Sequence, residues 1–230
     1  MRGEPTGNGG QRSAHVLILR QNEPYPYGWV GQEARALANA GYQVTTLTPT
    51  GFGYDSPDET SDGVRALRFR VRASSTGLIG YVWEYASSLW AMATRLLPLV
   101  RHGAVDVVIV ATPPDLLVAL ALPLRCRGAG VIFDQRDPGP ELFEAKFGRR
   151  GMVHRLLVKS EQFACRHADV LMPHNEACAQ LLQQRSGADA DRMFVVGVGP
   201  DPDRIFPVPP DPRLRQGRPY LVLWMGTISS

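Results

Sequence analysis

The stretch His15-Val16-Leu17-Ile18-Leu19-Arg20 decides the fold class. Its apolar residues are continuous rather than alternating, and the run is short, which is the pattern of a strand buried on both faces. A turn-rich segment follows from Asn22 to Gly31, with Pro24, Pro26, Gly28 and Gly31. Val30, Ala34, Leu37 and Ala38 then recur at helical spacing until Gly41 stops the helix, and Gln43 to Thr48 reads as the next strand.

Working outward, the same unit repeats. Strands are predicted at Val64 to Val71, Val105 to Ala111, Gly130 to Asp134, Asp169 to Met172 and Met193 to Val196. Helices are predicted at Gly80 to His102, Asp115 to Arg127, Gly151 to Ala168 and Glu176 to Gln184. Strands alternating with helices predict an α/β fold, a doubly wound parallel sheet of Rossmann-like type.

Beyond it, Gly199 to Pro219 holds Pro200, Pro202, Pro207, Pro209, Pro210, Pro212 and Pro219, a density that predicts an extended linker. Tyr220 to Met225 reads as one more buried strand, the expected start of a second domain. Met1 to Ala14 is Gly-rich and polar, without the apolar run of a secretory signal, and is expected to be a disordered tail. The expected layout is thus a tail at 1–14, a Rossmann-like domain at 15–198, a linker at 199–219 and a first strand of a donor-binding domain at 220–230.

Composition narrows the function. A net charge of +3 over 230 residues is too weak for a nucleic-acid binder, whose basic residues concentrate on one face. Cys126, Cys165 and Cys178 show neither disulfide nor metal spacing, so a reducing, cytoplasmic compartment is expected and no metal site. Tyr81 to Val100 is the most apolar long segment. Glu84, Arg95 and Pro98 within it point to a long, mostly buried helix rather than a membrane span.

In an open parallel sheet, ligands sit at the carboxyl ends of the strands. The loop Tyr25-Pro26-Tyr27-Gly28-Trp29-Val30-Gly31 lies there, and its glycines would let backbone approach a ligand; a plain turn is the alternative. The loop lacks the three glycines of the dinucleotide fingerprint, and no acid closes the second strand. Thr112-Pro113-Pro114-Asp115 places Asp115 at a helix start, for the dipole or for substrate. The densest cluster is Asp134-Gln135-Arg136-Asp137-Pro138-Gly139-Pro140-Glu141. An arginine there could steady a phosphate or a developing anion, and the carboxylates could bind sugar hydroxyls; a structural ion pair is the alternative.

Taken in order, these pieces resemble the family 4 retaining glycosyltransferases with the two-domain GT-B architecture. The resemblance rests on the Gly28–Gly31 loop, Ala36-Leu37-Ala38 leading to Gly41-Tyr42 and Val44, Pro113-Pro114-Asp115-Leu116-Leu117, Asp134 to Glu141, Ala168-Asp169, the stretch Gly197 to Pro207 and the strand ending at Gly226. It implies an N-terminal acceptor-side domain and transfer from a nucleotide-sugar donor to a glycan or lipid-linked acceptor. Arg136 and Asp137 would act on the transferred sugar. Gly28, Trp29, Gly31, Asp115, Asp134 and Glu141 would line the acceptor side. Many such enzymes carry His where this chain has Arg136, and the donor half's basic pair and spaced glutamates are not in these 230 residues, so the chain by itself is expected to be inactive. No cofactor beyond the donor is implied.

Two other readings stand beside this one: a non-catalytic acceptor-binding or scaffolding module, and a Rossmann-type oxidoreductase or epimerase. Finally, Lys146, Arg149, Arg150, Arg155, Lys159 and Arg166 surround an apolar stripe of Val153, Leu156, Leu157, Phe163 and Ala164, with Glu161 the single acid. A helix of this kind either packs its apolar face on the sheet or lies against an anionic membrane surface.

Overall fold

The computed structural model describes residues 12–71, 78–102, 105–197, 199–200 and 205–222. They belong to two compact units, residues 1–198 and 199–230.

The first unit is built on seven strands: β1 (His15–Arg20), β2 (Gln43–Pro49), β3 (Asp58–Ser61), β4 (Val64–Phe69), β5 (Val107–Thr112), β6 (Gly130–Gln135) and β7 (Val170–Pro173). Their order across the sheet is β3-β4-β2-β1-β5-β6-β7. All neighbours are parallel except β3 against β4, so the sheet is the expected doubly wound Rossmann-like one with a single antiparallel edge. The order reverses between β1 and β5, where Ile18 stands opposite Ile109.

Why both faces of β1 are apolar is now visible. Val16 and Ile18 join Val30 and Ala34 of α1 (Gly28–Asn39), while Leu17 and Leu19 join the opposite core. That core takes Met92, Leu96 and Val100 from α2 (Leu78–His102), Val118, Ala121 and Leu124 from α3 (Val118–Arg125), and Ala164 and Cys165 from α5 (Met152–His167). A strand between two helical layers has no solvent face, so no polar alternation appears in its sequence.

Two elements were not predicted. β3 reads Asp-Glu-Thr-Ser, without an apolar residue, and pairs with β4 through the turn Asp62-Gly63, whose φ values of 53° and 73° are those of a tight hairpin turn. α4 (Gly139–Phe147) begins within the charged cluster, with Pro140 buried in its first turn.

Three expectations are corrected. Among its described side chains α2 is not mostly buried: the buried ones lie four apart, at Ser88, Met92, Leu96 and Val100, while Trp83, Trp90 and Leu97 are exposed, Trp90 to 74%. The segment Met193 to Val196 is not a strand. It follows β7 through one parallel bridge, Leu171 opposite Met193, and two backbone hydrogen bonds, from Phe194 to Leu171 and Val196 to Pro173, too few to extend the sheet. Residues 115–127 are not one helix, because a 3₁₀ turn at Asp115–Leu117 precedes α3. α6 (Glu176–Ser186) runs as expected from its Asn175 cap, which accepts from the Cys178 N–H.

At the amino end, Arg12 pairs with Asp106 at 2.9 Å, the Ser13 hydroxyl donates to the Gly41 carbonyl and the Ala14 carbonyl accepts from the Gln43 N–H; residues 1–11 of the expected tail lie outside the described residues. In the second unit, a 3₁₀ turn at Pro212–Arg215 is capped by Asp211. Tyr220 to Val222 carry no regular structure there, and the remainder of that expected strand, with Gly226, lies outside the described residues. So do Val198 and Asp201.

The β1–α1 loop is shaped by its own atoms. A Cβ on Gly31 would stand 1.8 Å from the Pro26 carbonyl oxygen, and one on Gly28, at φ 56°, would meet the Glu23 carboxylate at 2.3 Å. Gly31→Ala should therefore lower unfolding free energy by about 1–3 kcal/mol, read from urea melts, since backbone cannot yield as a side-chain tip can. Unchanged stability would show that the loop repacks freely.

Candidate functional site

The carboxyl ends of β1, β5 and β6 meet at the point where strand order reverses, and charged side chains gather there. Asp134 is buried one residue before the end of β6, and Arg136 comes two residues later. Arg136 Nε donates to Asp134 Oδ2 at 2.5 Å, and its Nη2 lies 3.6 Å from Glu33 Oε2 on α1. One guanidinium thus stands between two carboxylates, one from the sheet and one from the helix that follows the glycine loop. Glu33 Oε2 is buried and accepts no hydrogen bond within the protein.

Arg20, at the end of β1, is buried beside this group. Its Nη1 donates to the Thr112 carbonyl at 2.8 Å, and its Nη2 lies 3.7 Å from Glu23 Oε2. Asp137 is exposed next to Arg136.

Burial sets the protonation of the cluster. Desolvation, reinforced by Asp134, pushes the Glu33 carboxyl up to about 7 against the opposing pull of Arg136 and Arg20. Asp134 is also raised by burial, opposed by Arg136, Arg20 and His174. Glu33, raised to about 7, can hold or move a proton, and the guanidinium between it and Asp134 can stabilise an anion placed against it.

A second buried group lies further along the sheet. Glu161 of α5 accepts from Gln135 Nε2 at 2.9 Å and from Arg185 Nη1 at 2.9 Å, and Arg185 also pairs with Glu141. Asp115 faces the start of α4, its Oδ2 standing 3.7 Å from the Cβ position of Gly139, and its Oδ1 is buried without a hydrogen-bond partner. Burial, with Glu161 adding to it, raises Asp115 to about 7.

Of the residues predicted from sequence, the structure brings Asp134, Arg136 and Asp137 together. It sets Asp115 and Glu141 in the second group. Gly28 and Gly31 shape the loop, and Trp29 is half-buried at the start of α1. Glu33 and Arg20 were missed. Arg20 had a signal, a charge ending a wholly apolar strand; Glu33 had none beyond its place one turn past Gly28. Glu161, the single acid of the basic stretch, was not singled out as a site residue, and it is fully buried among polar partners. Among the described residues no group of three His, Cys, Asp or Glu side chains is placed to hold a metal ion, and no helix is long and apolar enough to cross a membrane.

Comparison with known proteins follows the same lines. No curated protein matches the chain. Sucrose-phosphate synthase from Thermosynechococcus elongatus superimposes with a TM-score of 0.64 at 15% identity, over 85% of this chain and 50% of that one. The calicheamicin glycosyltransferase CalG4 gives 0.51 at 12% identity, over 81% and 53%. A putative UDP-N-acetylglucosamine 2-epimerase from Listeria monocytogenes gives 0.52 at 12%, over 80% and 45%. These likenesses are of fold, that of the N-terminal half of the GT-B architecture, and the chain spans about half the length of the structures it matches. The family described as glycosyl transferase 4-like domain matches residues 30–199, the span that holds Glu33, Asp134 and Arg136, and the chain belongs to that family.

Proposed function

We propose that this chain forms the acceptor-side half of a retaining glycosyltransferase that uses a nucleotide-sugar donor. The observation that carries the reading is the Arg136 guanidinium held between Asp134 and Glu33 at the strand-order reversal. In this reading Arg136 stabilises negative charge that builds up as the donor bond breaks, and Asp137 beside it meets the hydroxyls of the transferred sugar. Glu33, with a carboxyl near neutrality, accepts the proton of the attacking acceptor hydroxyl. Gly28, Trp29 and Gly31 edge the acceptor side, with Asp115 and Glu141 behind it as a supporting polar layer.

The test is a screen of UDP-, GDP- and ADP-sugars for transfer or hydrolysis by the enzyme carrying both GT-B halves. Consumption of one donor, with retention at the anomeric carbon, is expected. If no donor is consumed, or the product is inverted, the reading fails.

A lipid-linked acceptor would bring the enzyme to the cytoplasmic face of a membrane, and α4 and α5 carry a surface suited to that. Leu142, Phe147, Met152 and Leu156 are exposed, Met152 to 77%, among Lys146, Arg149, Arg155 and Lys159. Arg150 is partly neutralised by Glu144 at 2.9 Å. Apolar side chains ringed by cations suit an anionic bilayer. Met152→Glu with Leu156→Glu should abolish co-sedimentation with phosphatidylglycerol vesicles and leave the melting temperature unchanged; co-sedimentation that persists removes the membrane from the reading.

A further inference from the structure

We infer that Tyr27, Phe52 and Tyr54 form a stacking platform for a neutral pyranose ring of the acceptor glycan, an inference that rests on the transfer reading above. Tyr27 follows β1 and the other two follow β2, at the carboxyl edge of the sheet that also carries Arg136. The ring centroids of Tyr27 and Phe52 are 5.5 Å apart, and those of Tyr27 and Tyr54 are 5.4 Å apart, both edge to face. Phe52 is 78% exposed and Tyr27 45%.

Folding does not account for Phe52. Its φ of 52° is left-handed, a conformation that a bulky side chain adopts only under constraint, and its ring gains little burial in return. The constraint is built in on both sides. Gly51 and Tyr54 exchange two backbone hydrogen bonds across the turn, and Thr50 donates to the Phe69 carbonyl. The buried Arg68 then braces both loops, donating to the Ser56 carbonyl at 3.0 Å and the Tyr25 carbonyl at 3.3 Å, with its guanidinium 5.4 Å from the Tyr54 ring centroid.

The chemistry of the occupant follows from the surroundings. A pyranose has one face of C–H groups, which packs on an aromatic ring, and a rim of hydroxyls, which donate to carboxylates. Asp55 directly follows Tyr54 and Asp62 closes the neighbouring hairpin, while Glu59 is taken up by Arg68 at 2.9 Å. Acidic neighbours favour hydroxyls and oppose an anionic lipid or a phosphorylated sugar.

The test is saturation-transfer NMR on the 230-residue chain. The probes are methyl glycosides of glucose, galactose, mannose and N-acetylglucosamine, and the β1,4-linked disaccharide of each. At least one probe should receive saturation at its ring C–H protons. Phe52→Gly, which suits the left-handed backbone and removes the ring, should weaken that probe's binding about tenfold with no loss of melting temperature. The inference is overturned if no probe receives saturation, if Phe52→Gly binds as the parent does, or if Phe52→Gly melts several degrees lower. Donor turnover by the two-half enzyme without Phe52-dependent sugar binding sinks the platform alone. Phe52-dependent binding with no donor ever consumed keeps a carbohydrate site and sinks the transfer reading.

Discussion

Turnover by the enzyme carrying both halves is expected to fall about a hundredfold with Arg136→Ala, because one electrostatic stabiliser of a developing charge is removed. The same substitution also touches stability. Asp134 is buried and loses its closest cation, at a cost of about 3–5 kcal/mol if it stays ionised. Combining Arg136→Ala with Asp134→Asn removes the orphaned charge, so the melting temperature should recover while the rate does not. Parent-like turnover in either protein, measured well below its melting temperature, would take Arg136 out of the site and leave it as a structural ion pair.

A second large effect concerns pH. The Asp115 carboxyl, ordinarily near 3.8, is raised to about 7 by burial. Between those values the folded protein keeps a proton that the unfolded chain has released, so this group's contribution to stability is greatest at low pH and declines as pH rises from about 4 to 7. The loss attributable to this group is roughly 4 kcal/mol by the top of that window. Asp115→Asn cannot ionise and should escape it: near-parent stability at pH 4, and a stability exceeding the parent's at pH 8. Urea melts at the two pH values measure the difference. Parallel pH profiles for the two proteins would show that Asp115 is ionised at little cost in the fold.

Much of this fold was legible because its strands lie between helical layers. Val16 to Leu19 and Val107 to Ala111 are apolar on both faces, and a run of that kind has few other uses. Legibility failed where burial was not the driving force. β3 is held by its hairpin turn and by pairing with β4, and the Asp62-Gly63 pair was its only mark. α4 was obscured by Pro138, Gly139 and Pro140, which read as loop but start a helix.

The candidate site was half legible for a related reason. Asp134 and Arg136 adjoin in sequence, so their charges stood out against a buried strand. Glu33 reaches Arg136 from a helix about a hundred residues earlier, a meeting that only the β6–α1 juxtaposition creates. Glu161 looked like the odd acid on a basic helix. Its partners Gln135 and Arg185 come from β6 and α6, and they turn a surface pattern into a buried network.

The four residues of β3 also bear on how molecules of this protein meet one another. A parallel sheet ending at β4 would offer the backbone donors and acceptors of Val64–Phe69 to any extended segment, including that of another copy. β3 occupies that row, and its own outer rim is only four residues long and without an apolar side chain, Asp58 and Glu59 being paired with Arg65 and Arg68 of β4. A very short, polar edge strand offers little to strand-by-strand addition, so the hairpin acts as a guard against fibrillar association at this border. Deleting residues 56–62 should expose it, and the protein would then be expected to gain thioflavin-positive aggregates on storage at concentrations where the intact chain stays dispersed.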